Sequence, residues 1–313
     1  MFDITALGEI LIDFTPVASD GEKNVFEQNA GGAPANLLAA FSRFGGKAAF
    51  IGKVGADMFG NFLTKTLKDC GVDTSGVCVD PIHNTTLAFV ALDPTGDRHF
   101  SFCRNFGADV FLRREEVNES LIRRSAIFHF GSLSLTGECA REATDHALEV
   151  ARESGCTVTF DPNYRAPLWK NEQTAIDTIK QYIPRADIIK FSREEIQMLT
   201  GESDIRVAAK QVIAQGVALV LVTDGPAGVL YATKRQIGYV PSIKVRTVDT
   251  TGAGDIFFGT FLYAISRERL DPKTLTAERI AKALKYAVKA AGISTMKKGA
   301  IASIPTYKEI FEA

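Results

Sequence analysis

The chain has 313 residues, 46% hydrophobic and 23% charged, a composition that suits a soluble globular protein and excludes a disordered one. Its 36 basic and 37 acidic side chains leave a formal charge of −1, so no field favours nucleic acid or an anionic membrane surface. No apolar run approaches the roughly 20 residues of a membrane span, and the first residues lack the basic-then-apolar order of a secretion signal.

Five scattered cysteines, never spaced as C-x-x-C, predict reduced thiols and a cytoplasmic setting. The four histidines show no metal-ligand spacing, so no catalytic zinc is expected.

In chain order, residues 2–7 read as a strand. A helix is predicted over 34–44, with Pro34 in its first turn and Gly45-Gly46 ending it. Residues 48–54 are strand-like and 59–69 helical. The alternation resumes with a strand at 126–130, a helix at 138–153 and a strand at 156–160. Strands at 188–191 and 218–223 follow, and an Ala-rich helix at 277–297. Strands alternating with helices predict a mainly parallel sheet covered on both faces, within one α/β domain. Two segments break this rhythm. Residues 11–28 alternate without a helical pattern, and 87–92 and 98–103 read as strands joined by a turn at 93–97. Together they predict a small projecting sheet, either a lid or a hairpin of no special role.

The run Val248-Asp249-Thr250-Thr251-Gly252-Ala253-Gly254-Asp255 leads directly into the apolar stretch from Ile256 to Leu262. A small-residue loop feeding a helix leaves backbone N–H groups unpaired at the positive end of the dipole, where an oxyanion is stabilised. An ionised Asp255 beside them can take a proton from an alcohol. A cradle and a base in one segment suggest phosphoryl transfer to a hydroxyl, although a capped helix start explains the residues as well. Neither a G-x-x-x-x-G-K-[ST] loop nor a G-x-G-x-x-G after the first strand exists, so phosphate binding falls to this loop.

Gly31-Gly32-Ala33-Pro34-Ala35-Asn36 allows a tight bend, and the Asn36 amide both donates and accepts, as sugar hydroxyls require. A hinge ahead of a polar first turn is the simpler alternative. Asp13, Asn163 and Arg165 follow predicted strands, whose carboxyl ends face the ligand crevice in open parallel sheets. Thr223-Asp224-Gly225-Pro226-Ala227-Gly228 reads as a turn or as a nucleotide cradle, and Ser192 with Glu195 as a capping box.

In order and separation these motifs resemble the ribokinase-like (PfkB) family of carbohydrate kinases, and within it the fructokinases of bacteria and plants. The resemblance runs from Gly8-Glu9-Ile10-Leu11-Ile12-Asp13 through residues 31–36, 52–60 and 161–165. Its most diagnostic pieces are 249–255 and Lys298-Gly299-Ala300-Ile301. It implies a three-layer α/β/α sandwich with a mainly parallel central sheet and a small β-sheet lid. A single domain would span 1–313, with the lid formed by about 11–30 and 84–107.

The implied reaction is ATP-dependent phosphorylation of a primary hydroxyl, D-fructose giving fructose 6-phosphate. Asp255 would be the general base, and the N–H groups of Gly252, Ala253 and Gly254 the anion hole. Asp13, Gly31, Gly32, Asn36, Arg104 and Asn163 would line the sugar pocket, with Arg165 reaching the sugar or a phosphate. Lys190, Ser192, Thr223, Asp224, Gly225, Gly228 and Gly254 would contact the nucleotide. Mg²⁺ would ride on the ATP phosphates, with Glu195 acting through water. K⁺ would bind near Asp249, Thr251, Gly299 and Ser303. The lid would close over the sugar, exclude water and join two subunits into a homodimer. Two positions depart from the family pattern: Ser192 replaces the first Asn of an N-x-x-E motif, and Val288 an Asn near adenine.

Arg104 and Arg165 keep a second acceptor class open, a sugar acid such as 2-keto-3-deoxygluconate, because paired guanidinium groups clamp a carboxylate. Another ketose or a nucleoside is a further option. A sensing protein without turnover would not need Asp255, and an NAD-dependent oxidoreductase lacks its glycine fingerprint.

Overall fold

Short apolar runs bounded by Gly, Asp and Pro become strands where both faces are covered by helices. The computed structural model describes residues 1–17, 25–92, 98–267 and 271–312; the turn expected at 93–97 lies outside them. The strands are β1 (Phe2–Leu7), β2 (Leu11–Val17), β3 (Val25–Gly31), β4 (Ala48–Gly55), β5 (Asp73–Asp80), β6 (Leu87–Leu92), β7 (Arg98–Cys103), β8 (Ser125–Gly131), β9 (Thr157–Asp161), β10 (Ile188–Ser192), β11 (Leu219–Thr223), β12 (Gly228–Thr233) and β13 (Ile237–Pro241). The helices are α1 (Ala33–Arg43), α2 (Met58–Asp69), α3 (Glu119–Arg123), α4 (Glu138–Glu153), α5 (Glu172–Tyr182), α6 (Arg193–Thr200), α7 (Ile205–Ile213), α8 (Ala253–Ser266), α9 (Ala277–Ser294) and α10 (Tyr307–Phe311).

Among the described residues the main sheet has nine strands in the order β13-β12-β11-β10-β9-β8-β1-β4-β5. From β11 to β5 every pairing is parallel, and β12 and β13 extend the other edge antiparallel. Alternate residues serve opposite cores, as a strand period of two requires. Ile188, Leu219 and Leu221 pack with α1, α8 and α9; Ile189, Val220 and Val222 pack with α4 to α7. Fully buried Phe50, Phe128, Phe130 and Phe160 anchor the two layers, each contributing about 2–3 kcal/mol by burial. This is the expected three-layer sandwich.

The two irregular segments do share one sheet, in the order β3-β2-β6-β7. Phe14 of β2 stacks on Phe89 of β6 at 4.9 Å and meets Phe59 of α2 edge-on at 5.8 Å, which fixes the small sheet to the main body.

Three strands escaped the sequence reading. β5 (DTSGVCVD) carries polar residues and a Gly at an edge, where one-sided burial hides the apolar signal. β12 and β13 form an antiparallel edge pair outside the βαβ rhythm. The last long helix stops at Ser294 and not at 297, with Thr295 as its cap. All five cysteines are free thiols, and no helix among the described residues is long and apolar enough to cross a membrane.

Candidate active site

The loop before α8 is tied down at both ends. The N–H groups of Val248 and Asp249 donate to the Thr295 carbonyl (2.7 and 3.0 Å). The Asp249 carboxylate accepts from the Thr251 N–H at 2.7 Å and the Gly299 N–H at 3.0 Å. Gly252 caps α8 in the left-handed region (φ 73°), and a Cβ there would lie 2.5 Å from the Ala300 Cβ, so glycine is required twice over. The Ala253 N–H donates to the Thr250 carbonyl at 3.2 Å, while those of Gly252, Gly254 and Asp255 meet no acceptor among the described residues. The cradle therefore consists of the Gly252, Gly254 and Asp255 amides, with Ala253 committed elsewhere.

Asp255 lies in the first turn of α8 and is 8% exposed. Its Oδ2 accepts from the Asn36 side chain at 2.8 Å. Burial raises its carboxyl above the ordinary range, against the opposing pull of Lys190, the Asn36 hydrogen bond and Arg165. Lys190 on β10 is buried and paired with Asp161 at the end of β9, Nζ to Oδ2 2.8 Å. Burial alone would lower the Lys190 ammonium, but Asp161 and Glu195 outweigh it and hold it above its usual value. A Cβ on Gly254 would stand 2.9 Å from that ammonium, which places the cation beside the cradle. The Asp255 carboxyl, the Lys190 ammonium and these amides thus lie around the first turn of α8.

On the small-sheet side, Asp13 is buried, and desolvation with the nearby Asp255 and Asp249 pushes its carboxyl up to about 7 against the pull of Arg165. Its Oδ2 would be 2.0 Å from a Cβ on Gly31, so only glycine fits opposite it. Gly32 (φ 108°) turns the chain into α1, where Pro34 and Asn36 begin the helix. The Asn36 Oδ1 is buried without a partner and remains available to a hydroxyl. Asn163 is held at φ 44°, the left-handed region in which a non-glycine residue is strained, directly after β9.

Arg104 is buried and donates to Asp109, Thr136 and Leu133. Arg165 is half-buried and donates to the Tyr164 carbonyl at 3.0 Å. Sequence reasoning singled out neither Asp109 nor Glu9. The spacing of Asp109 five residues beyond Arg104, in a glycine-containing loop, was the available signal. Glu9 is buried after β1 and accepts from the Ala33 N–H at 2.8 Å, which clamps the Gly31-Gly32 bend; burial pushes its carboxyl up to about 7.

On the other side of the α8 N-terminus lies a cavity of about 450 Å³. Thr223, Gly225, Gly228 and Gly254, named from the sequence, line it. So do Ser242 to Val245, Phe257, Val288 and Gly292, of which only Val288 had drawn notice. Small and apolar residues make up most of its lining, with Lys244 the charged one, which suits a planar base and a sugar. Ser192 instead caps α6: its Oγ accepts from the Glu195 N–H, and Glu195 accepts from the Ser192 and Tyr164 N–H groups (both 2.7 Å). Asp224 is paired with Arg193, which holds its carboxyl below the usual range.

No group of three or more His, Cys, Asp or Glu among the described residues is placed to hold a metal ion. A divalent ion used here would take most of its ligands from a bound phosphate chain. Asp249, Thr251 and Gly299 do cluster, while the Ser303 Oγ donates to the Ala300 carbonyl at 2.8 Å.

A model of the pfkB family carbohydrate kinases matches residues 1–307. The probable fructokinase-5 of Arabidopsis thaliana is 42% identical over 308 residues, covering 97% of this chain and 94% of its own. A fructokinase with bound ATP from Xylella fastidiosa superposes with a TM-score of 0.92 at 33% identity, over 99% of this chain and 97% of that one. A fructokinase double mutant from Vibrio cholerae O395, in a fructose-, ADP- and potassium-bound form, gives 0.89 at 33% identity, over 99% and 98%.

Proposed function

The chain belongs to the pfkB family of carbohydrate kinases, and from that premise we propose that it is a fructokinase transferring the γ-phosphoryl group of ATP to the 6-hydroxyl of D-fructose. One observation carries the mechanism: a buried Asp255 carboxylate in the same helical turn as three amides without acceptors. In it, Asp255 takes the hydroxyl proton as that oxygen attacks the γ-phosphorus. The Gly252, Gly254 and Asp255 amides, with Lys190 beside them, hold the charge that gathers on the phosphoryl oxygens. Preorganised donors of this kind stabilise the transition state without reorganising. Asn36 orients Asp255 through its Nδ2 and presents its Oδ1 to the sugar; Asp13 and Asn163 complete the pocket.

Adenosine occupies the cavity between β11, β12 and α9. Mg²⁺ would ride on the ATP phosphates and neutralise their charge, with Glu195 acting on it through water. Asp249, Thr251, Gly299 and Ser303 would hold K⁺ beside the cradle. We read the chain as one domain with the four-stranded sheet as its lid, acting in the cytoplasm as a homodimer. Exposed Val17, Val25 and Phe26 on that sheet support an apolar lid surface that a second subunit would cover. Sedimentation as a monomer would count against the dimer, and equal rates in KCl and NaCl against the K⁺ site.

Incubation with ATP, Mg²⁺ and a panel of sugars tests the reading. Fructose is expected to be turned over best, with the new phosphate on carbon 6 by NMR. A large preference for 2-keto-3-deoxygluconate, another ketose or a nucleoside would overturn it.

A further inference from the structure

Resting on the fructokinase reading, we propose that Asp109 determines the charge class of the acceptor: it neutralises and immobilises Arg104, so that the pocket takes an uncharged ketose and rejects a sugar acid. Arg104 Nε and Nη2 both reach Asp109 Oδ2, at 2.8 and 2.6 Å. Its Nη1 donates to Thr136 Oγ1 at 2.8 Å and Nη2 also to the Leu133 carbonyl at 2.9 Å. The edge of the guanidinium that would clamp a substrate carboxylate is therefore already on a protein carboxylate.

Asp109 is locked in turn. Thr86 Oγ1 donates to its Oδ1 at 2.5 Å. Gly107 closes over both, since a Cβ there would be 1.9 Å from Thr86 Oγ1 and 2.9 Å from Asp109 Oδ1. A sugar acid would have to displace Asp109 and leave it buried and unpaired, which is far more unfavourable than the new contact is favourable. Arg165 does not replace the clamp, because its charge acts on Asp13 and Asp255, carboxylates that would also repel an acid.

The test compares kcat/KM for D-fructose and for 2-keto-3-deoxygluconate in the wild type, Asp109→Asn and Asp109→Glu. Freeing Arg104 in Asp109→Asn is expected to raise the acid-to-fructose ratio by about 10-fold or more, a gain that shrinks with salt. Asp109→Glu, which keeps the charge, should retain the wild-type ratio. A soluble Asp109→Asn enzyme whose rates fall equally on both substrates overturns the proposal, as does a gain shared by Asp109→Glu. Should Asp109→Asn not fold, Thr86→Val, which removes only the hydroxyl holding Asp109, is read the same way: a rise of about 3-fold supports the assignment and an unchanged ratio overturns it. A wild type inactive on fructose would instead sink the fructokinase reading. The ratio taken with whichever neutral sugar it accepts would still decide the role of Asp109.

Discussion

The two sides of the α8 N-terminus are built on opposite principles. The side facing the small sheet is crowded with buried charge: Asp13, Asp161, Lys190 and Asp255, joined by Asn36. The side facing β11, β12 and α9 is a largely neutral cavity lined mostly by Gly, Thr and apolar residues, with Lys244 the charged residue on its lining. Hydroxyl groups need fixed donors and acceptors to be held and deprotonated, whereas a flat base needs only a slot of the right thickness. Changes on the charged side should therefore alter chemistry and pH dependence, and changes on the neutral side only affinity.

The largest effect is expected from Asp255→Asn, which removes the proposed base but no residue lining the proposed nucleotide cavity. Turnover should fall by about 10³–10⁴-fold while the ATP Kd, measured by calorimetry, stays within about 3-fold. Gly252→Ala comes next. Its methyl group meets Ala300 and strains a left-handed residue, so the cradle shifts and kcat should drop by about 10²-fold, again with little change in ATP affinity.

Asp13→Asn exposes what buried charge does to stability. The folded state holds the Asp13 proton up to about pH 7, while the free side chain releases it near 3.8. Stability is therefore fully present below the lower value and lost as pH rises through the upper one. The Asn variant should melt about 2–5 °C above the wild type at pH 8, with the gain gone by pH 4, while its KM for sugar rises. An equal shift at both pH values would break the comparison. The smallest effect belongs to Val288→Ala on the neutral side: an ATP KM raised by no more than about 3-fold, with kcat and the pH profile unchanged.

The sequence exposed the charged side better than the neutral one. Asn36 and Asp255 sit at helix starts, where residue type and element boundary coincide; Asp13, expected at the end of the first strand, lies instead inside β2, paired with Asn29 and Ala88. Lys190 and Asp161 lie on adjacent strands, so their pairing appears only once β9 and β10 are side by side. Arg104 was named from the sequence as a pocket cation, but its partner Asp109 was not, because a loop of 3-10 turns carries no periodicity. The cavity beside α8 was half hidden because its lining comes from separate elements. Ser242 to Val245 and Phe257 look like ordinary connection and core until α8 and α9 close around them. The Ala253 amide shows the finest limit, since which N–H points outward depends on one backbone hydrogen bond.

The most direct test is the pH dependence of kcat/KM for fructose in the wild type and in Asn36→Ala. An acid limb above the ordinary carboxylate range is expected, and its displacement to higher pH once the Asn36 hydrogen bond that holds the Asp255 carboxyl down is removed. An acid limb at the pH of a free carboxylate, or one that stays in place in Asn36→Ala, would contradict Asp255 as the base.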